Sequence, residues 1–133
     1  MILTLSYSHA RFPVQIQTGD KTRTTRPLSD FIIKKLSKNP TLRHYWKQRT
    51  PGRFIICDTK LDDFFVVAFS PEHAYHITTS ERIFAYTDQE RQEYAEREGF
   101  DNYPEFYDVL RGMYGQKHMD AERFVCIQWK APQ

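Results

Sequence analysis

Alternation of apolar and polar residues marks both ends of the chain as strands. Residues 2–6, ILTLS, alternate in this way, and so do residues 123–129, RFVCIQW. Residues 64–69, FFVVAF, are continuously apolar, which predicts a strand buried on both faces. After a turn at Pro51 and Gly52 another strand is predicted. The segments AYHITT and RIFAYT predict further strand or extended chain.

Helix signals lie between these strands. Ser8 is a candidate cap for a short helix that runs to Thr18. Residues 87–90, TDQE, form a capping box, and Gly99 suits the end of the helix that follows. Asn102 opens another helix, and the aromatic and apolar residues on one face of that helix are typical of a core contact.

Residues 28–49 combine helical spacing with positive charge. Apolar residues recur at that spacing from Leu28 to Leu36, and a second short apolar stretch begins at Leu42. Lysines and arginines dominate the polar positions between them. We therefore predict a basic helical insert at about residues 28–49.

Strands joined by short turns, with helices grouped elsewhere, predict an α+β fold. We expect a single domain over residues 1–133, built on a small β-barrel or strongly curved sheet with flanking helices. No apolar run approaches the roughly 20 residues of a membrane span, and no signal peptide is expected. Cys57 and Cys126 lie in apolar segments, which predicts buried, reduced thiols and a cytoplasmic protein.

The charge is distributed unevenly. Residues 1–49 contain ten Lys and Arg against two Asp and Glu, a net charge of +8, whereas residues 50–133 contain nine against fifteen, a net charge of −6. If the first third forms one surface, that surface attracts phosphates. The alternative is that the two parts neutralise each other across the fold.

The segment GDKTRTTRP, residues 19–27, concentrates donors and hydroxyls in one short stretch. Lys21 precedes Thr24 by three residues, and a lysine can act as base for a hydroxyl when burial or a nearby cation lowers its pKa. Arg23 and Arg26 can supply that cation or contact a phosphate. An ordinary polar turn is the third possibility.

Two further features concern carboxylate and metal chemistry. Glu98 lies at the predicted C-terminal end of a helix, where the helix dipole disfavours negative charge, so it is either a solvated glutamate or a carboxylate that faces a cleft. His73 and His76 point to opposite faces of an extended segment. We therefore predict no metal site, and no cofactor is expected.

The segment IQTGDKTRTTR, residues 16–26, resembles the ASCH family, a branch of the PUA-like fold. The mark of that family is a Gly-x-Lys-x-x-Thr-x-Arg pattern, which Gly19, Lys21, Thr24 and Arg26 fill. YAEREGFDNYPEFYDVLRGMYG is similar to the helix, Glu-Gly-Phe turn and second helix of the family, and the TPGR turn and closing RFVCIQW also fit. The resemblance covers most of the chain except residues 28–49.

The resemblance implies a small β-barrel with a cleft beside the Gly-x-Lys loop, and association with RNA or nucleotides. Some small bacterial members hydrolyse the amide of N(4)-acetylcytidine, so the resemblance also implies an amidohydrolase activity. In those members a lysine and a threonine of the loop act with a glutamate, and these correspond to Lys21, Thr24 and Glu98 here.

Three functions follow from these observations. The first is a module that binds RNA or a modified nucleoside, in which Tyr45 or Trp46 stacks on a base. The second is an amidohydrolase in which Thr24 attacks an amide, Lys21 transfers protons, and Glu98 orients or protonates the reacting groups. The third is a protein-interaction module without a ligand. The binding function would use Lys21, Arg23, Arg26, Lys34, Lys35, Lys38, Tyr45 and Trp46.

Overall fold

The computed structural model describes residues 1–121 and 123–132, which contain seven strands and five helices. The mixed α+β class predicted from the sequence is confirmed. The proposed end of the domain, residue 133, lies outside the described residues. The elements are β1 (Ile2–Tyr7), α1 (Phe12–Thr18), β2 (Arg23–Pro27), α2 (Asp30–Leu36), β3 (Thr41–Trp46), β4 (Phe54–Phe69), β5 (Ala74–Ile77), β6 (Ile83–Ala85), α3 (Asp88–Arg97), α4 (Tyr103–Tyr114), α5 (Gln116–Ala121) and β7 (Phe124–Trp129).

The 16-residue strand β4 organises the sheet. Its first half pairs with β3, and its second half pairs with β7 and β5. The order continues from β3 to β1, which run parallel, from β7 to β2, and from β5 to β6. Among the described residues β1 pairs only with β3 and β2 only with β7, so the sheet is open between β1 and β2.

The core lies between the sheet and the helices. The final strand β7 is buried over most of its length, as its position between β2 and β4 requires. Tyr94 of α3 and Phe106 of α4 pack near Phe69 of β4 in edge-on or tilted contacts. The amphipathic α4 thus presents its predicted aromatic face to the core.

The structure corrects the prediction of a basic helical insert at residues 28–49. Helix α2 covers only Asp30–Leu36, and Thr41–Trp46 form β3, which lies between β1 and β4. The apolar spacing after Leu42 fits a helix, but Leu42 and His44 point to the core with the two-residue period of a strand. Residues 41–46 are therefore part of the sheet rather than of a helical insert.

Other boundaries also differ from the sequence prediction. Residues 23–27 form β2 rather than a loop, because they pair with β7 along their whole length. The first helix begins at Phe12 and lacks a side-chain cap, so Ser8 does not cap it. Within residues 64–69 only Val67 and Phe69 are buried, so this part of β4 is not covered on both faces.

The two cysteines are both free thiols, as predicted. Cys126 is buried in β7, but Cys57 in β4 is only half-buried, unlike the prediction. Burial raises the pKa of the Cys126 thiol to about 12, which keeps it protonated and unreactive at neutral pH.

Candidate functional site

A cleft occupies the open side of the sheet between β1 and β2. The Arg26 side chain crosses this opening, and its Nη2 donates to the backbone carbonyl of Ser6 at 2.9 Å. Behind it lies a cavity of about 240 Å³. Its polar lining includes Ser6, Ser8, His9, Lys21, Thr24, Thr25, Arg26 and Glu98. Its apolar lining comes from Phe12, Phe100 and the α4 residues Phe106, Val109, Leu110 and Met113, with the Tyr7 ring beside them.

The loop before β2 is fixed at both ends. Gly19 ends α1 in the left-handed conformation, with φ of 87°, which glycine adopts without strain. Lys21 N–H then donates to the Gln15 carbonyl at 3.0 Å, and Thr22 N–H donates to the Arg97 carbonyl at 2.9 Å. The loop therefore joins α1 to the end of α3, which brings Lys21 next to Glu98.

Lys21 is completely buried and fully hydrogen-bonded. Its Nζ donates to the Arg23 carbonyl at 2.7 Å, to the Glu98 carbonyl at 2.7 Å and to Glu98 Oε2 at 3.0 Å. An ammonium group has three protons, so these bonds use all of them. The Phe12 ring centroid lies 4.1 Å from the same atom. Burial lowers the pKa of Lys21, although Glu98 opposes that shift.

Glu98 follows the last turn of α3 and is almost completely buried. One carboxylate oxygen accepts from Lys21, and the other accepts from the Thr25 hydroxyl. The Thr25 hydroxyl also lies 2.6 Å from the Tyr94 hydroxyl. The structure thus removes the alternative that Glu98 is a solvated glutamate, because its carboxylate is held inside the protein.

The chain turns sharply directly after Glu98. Gly99 has a φ of 96°, and a Cβ at this position would displace the Gln15 side-chain amide. Glycine adopts this backbone conformation without strain, whereas other residues rarely do. The Gln15 amide in turn donates to the Gly99 carbonyl at 2.9 Å. The Glu-Gly-Phe segment therefore sets the position of the buried carboxylate.

Thr24 and Arg26 form a second polar group on the wall of the cleft. Arg26 Nε donates to the Thr24 hydroxyl oxygen at 3.2 Å, and the guanidinium carbon lies 5.0 Å from the centroid of the Tyr7 ring. Thr24 shares the cavity with Lys21 and Glu98, but the Lys21 ammonium bonds to the Arg23 carbonyl and not to the Thr24 hydroxyl. The three predicted catalytic residues therefore lie around one cleft, with direct contact only between Lys21 and Glu98.

The sequence analysis missed Thr25 and a buried histidine behind the cleft. Thr25, one residue after the predicted Thr24, is the threonine that contacts Glu98. Assignment of residues 23–27 to a strand would have indicated that neighbouring threonines face opposite sides. His44 Nδ1 lies 2.9 Å from the Tyr7 hydroxyl, and its Nε2 lies 2.7 Å from the Thr59 hydroxyl.

Burial lowers the pKa of His44 to about 3, and the charges of Lys21 and Arg26 act in the same direction. Burial also raises the pKa of Tyr7. Both side chains are therefore neutral at physiological pH. The two side chains form an uncharged hydrogen-bonded network behind the wall of the cleft.

The other predicted nucleic-acid contacts do not line the cleft. Lys34, Lys35 and Lys38 lie on or just after α2. Trp46 ends β3 directly opposite Tyr7, and Tyr45 precedes it. The turn after β3 is tied to the rim of the cleft, because Lys47 N–H donates to the Tyr7 carbonyl and Gln48 N–H donates to the Ser6 hydroxyl.

Arg23 also lies away from the cleft. Its guanidinium is held over the Tyr94 ring at 4.5 Å, and its Nη2 donates to Gln128 Oε1 at 2.6 Å. It lines a separate, smaller cavity next to Arg97. Arg23 therefore contributes its backbone carbonyl to the Lys21 site and its side chain to another surface.

No protein-family model, curated protein or solved structure matches this chain. Within residues 1–121 and 123–132 no helix is long and apolar enough to cross a membrane. The same residues contain no group of three histidine, cysteine, aspartate or glutamate side chains arranged to hold a metal ion.

Proposed function

We propose that the cleft between β1 and β2 binds a nucleobase, either of RNA or of a modified nucleoside, and that the chain is an ASCH-like domain with a PUA-like fold. The observation that carries this proposal is the composition of the cleft. It combines hydrogen-bond donors of Thr24 and Arg26 with aromatic and aliphatic side chains.

The donors available to a ligand include those of Thr24 and Arg26. Lys21 donates all three of its protons within the protein, so it acts as a fixed positive charge beside Glu98. The Thr24 oxygen accepts from Arg26 Nε, which leaves its own proton free. Within the described residues the Arg26 hydrogen bonds use Nε and Nη2 and leave Nη1 for a ligand. Such donors suit cytosine, whose carbonyl oxygen O2 and ring nitrogen N3 are both acceptors.

The size and walls of the cleft support the same ligand class. A volume of about 240 Å³ is below the roughly 300 Å³ at which pockets for drug-sized ligands begin, so the cleft suits one ring with a small substituent. Phe12 and Phe100 line the cleft, and α4 supplies a largely aliphatic wall. The Phe12 ring already packs against Lys21 Nζ and the stacked His9 ring, which leaves Phe100 as the ring for a base. Stacking on aromatic side chains is the usual way in which proteins hold unpaired bases.

The family proposal rests on the same residues. Lys21, Thr24 and Arg26 of the Gly-x-Lys-x-x-Thr-x-Arg pattern line the cleft together with Glu98 of the Glu-Gly-Phe turn. The free thiols of Cys57 and Cys126 support the proposed cytoplasmic location.

The binding proposal is tested with a variant that fills the cleft. Val109→Trp adds an indole to the α4 wall, whereas Val14→Trp places the same side chain on the exposed face of α1. Titration with cytidine, uridine and N(4)-acetylcytidine, followed by NMR, is expected to shift cleft resonances in the native protein and in Val14→Trp. Val109→Trp is expected to weaken binding at least tenfold. Equal binding by both variants would show that the ligand lies elsewhere.

The second candidate function is amide hydrolysis on an acylated base. The observation that favours it is that the Thr24 hydroxyl shares the cleft with a buried lysine whose pKa is lowered by burial. In such a reaction a bond forms between Thr24 Oγ and the acyl carbon, the C–N bond breaks, and the proton lost by Thr24 ends on the departing amine. Water then hydrolyses the ester, which releases the carboxylic acid and restores Thr24.

This second function requires Lys21 to give up one of its three internal hydrogen bonds before it can accept a proton. The test is release of acetate from N(4)-acetylcytidine, with Thr24→Val as the matched inactive variant. Acetate release that Thr24→Val abolishes would establish hydrolysis. Binding of N(4)-acetylcytidine without release would leave the nucleobase-binding function alone.

A further inference from the structure

A second group of charged residues lies outside the cleft, where β2 meets α3. A cavity of about 170 Å³ is lined by Arg23, Arg97, Tyr86 and Tyr94, together with Glu90 and Glu93. We propose that Arg23 and Arg97 form a binding site for a phosphate group. This proposal goes beyond the function proposed for the cleft and does not depend on it.

The first observation is an incompletely satisfied buried guanidinium. Arg23 is only 9% exposed, and its Nε is buried without a hydrogen-bond partner among the described residues. Its Nη2 donates to Gln128, a neutral amide, and the guanidinium carbon lies 4.5 Å from the Tyr94 ring centroid and 5.5 Å from that of Phe65. A buried cation of this kind normally has an anionic partner.

The second observation is a like charge beside the first. Arg97 also lines the cavity, and its Nε donates to the Thr22 hydroxyl at 3.2 Å. The ion pairs formed by the described residues include neither Arg23 nor Arg97. Burial lowers the pKa of Arg97, and the charge of Arg23 acts in the same direction, whereas Asp62 and Glu93 oppose the shift.

The nearby carboxylates do not fill the role of the anion. Glu90 accepts from the Thr87 backbone N–H as part of the capping box, and Glu93 is exposed to solvent. Asp62 is held at a distance from Arg23 by Gln128, whose Nε2 donates to it at 2.7 Å. A phosphate group matches the site because two guanidinium groups can donate to several of its oxygens at once.

The phosphate can belong to a free phosphate or nucleotide, or to the backbone of a single-stranded RNA. The measurement is a titration of the isotopically labelled full chain, in which the Arg23 Nε–H resonance is followed by NMR. One series contains inorganic phosphate, a second contains a short single-stranded oligonucleotide, and a third contains chloride at matched ionic strength. A saturable shift with phosphate indicates the first source, and a saturable shift with the oligonucleotide alone indicates the second.

The matched variants are Arg97→Gln and Arg111→Gln. Arg111 is an exposed arginine of α4 and does not line this cavity, so its replacement makes the same charge change elsewhere. Arg97→Gln is expected to weaken anion binding at least tenfold, the usual consequence of losing a charge-assisted hydrogen bond. Arg111→Gln is expected to leave the affinity unchanged. The proposal is overturned if the Arg23 resonance does not move, if it moves equally in chloride, or if the two variants weaken binding equally. Because the resonance is read in the native chain, instability of Arg97→Gln does not prevent the test.

Discussion

Lys21 Nζ lies 3.0 Å from Glu98 Oε2, although 77 residues separate the two in the chain. Both side chains are almost completely buried, so this ion pair fastens the loop before β2 to the end of α3 inside the protein. The pair also makes the base of the cleft electrically neutral. Arg26 then remains as the cation that lines the cleft without an ion-pair partner among the described residues.

Removal of the lysine alone should strongly destabilise the fold. Lys21→Met leaves the Glu98 carboxylate buried without its cation, and we expect a loss of about 3–5 kcal/mol in the free energy of unfolding. Adding Glu98→Gln to that variant removes the stranded charge and should recover part of the loss. Urea unfolding of the native protein, both single variants and the double variant measures the coupling between the two positions.

An exposed ion pair provides the control for that cycle. Arg111 and Asp108 lie 3.1 Å apart on the surface of α4, and the same treatment there should give a coupling energy of about 0–1 kcal/mol. A coupling energy for Lys21 and Glu98 as small as that of the surface pair would contradict the structural role assigned to them.

The two adjacent threonines of β2 should respond differently to the same change. Thr25→Val removes a hydroxyl that bonds to Glu98 and lies next to the Tyr94 hydroxyl, so we expect a stability loss of about 1–3 kcal/mol. Thr24→Val removes a hydroxyl that bonds to the half-exposed Arg26 and should cost about 1 kcal/mol or less. Its larger effect should fall on nucleoside affinity. Thermal unfolding and titration of both variants check this separation, and the reverse pattern would assign the ligand contact to Thr25.

His44 should make the free energy of unfolding decrease as the pH is lowered. In the folded protein the pKa of His44 is about 3, so the imidazole stays neutral when the unfolded chain takes up a proton near pH 6.5. Stability is therefore complete above that pH and falls as the pH is lowered towards 3. Between pH 7 and 5 this one group should account for a loss of about 2 kcal/mol.

Comparison with His44→Gln isolates this contribution from that of the carboxylates. Urea unfolding at pH 7 and pH 5 should show a smaller decrease for His44→Gln than for the native protein. Parallel decreases for the two proteins would mean that His44 titrates normally and is not held neutral by burial.

RNA binding is expected to be salt-sensitive, and either of two basic surfaces can supply the phosphate contacts. One comprises Lys34, Lys35 and Lys38, and the other is the turn after β3 with Lys47, Arg49 and Arg53, which borders the cleft. If the first group contacts phosphates, its triple replacement by glutamine should reduce the slope of log affinity against log salt by about 2. An unchanged slope in that variant, with a reduced slope after replacement of the second group, would locate the RNA at the turn instead.

The sequence predicted much of the fold because strong local signals agree with the tertiary structure. The capping box at Thr87 and the Asn102 cap are both present, since side-chain caps act within three residues. The helix prediction for residues 41–46 was wrong, because the helical and strand periods cannot be told apart in so short a segment. Pairing with β1 and β4, which lie far away in the chain, decides between them.

The candidate site was predictable to the extent that it follows a motif. Lys21, Thr24 and Glu98 do lie around one cleft, but their contacts were not predictable, because the alternation of β2 directs Thr25 rather than Thr24 to the carboxylate. The environment of Arg23 was also missed. Its neighbours come from α3, β4 and β7, and no spacing within the loop indicates them.

The central claim is that the cleft between β1 and β2 holds a nucleobase, and intermolecular NOEs with bound cytidine or N(4)-acetylcytidine test it most directly. The account predicts contacts from the base to the Phe12 or Phe100 ring and to the Thr24 methyl group, and their loss in Val109→Trp but not in Val14→Trp. Contacts from the nucleoside only to residues outside this cleft, or no saturable binding at millimolar nucleoside, would contradict it.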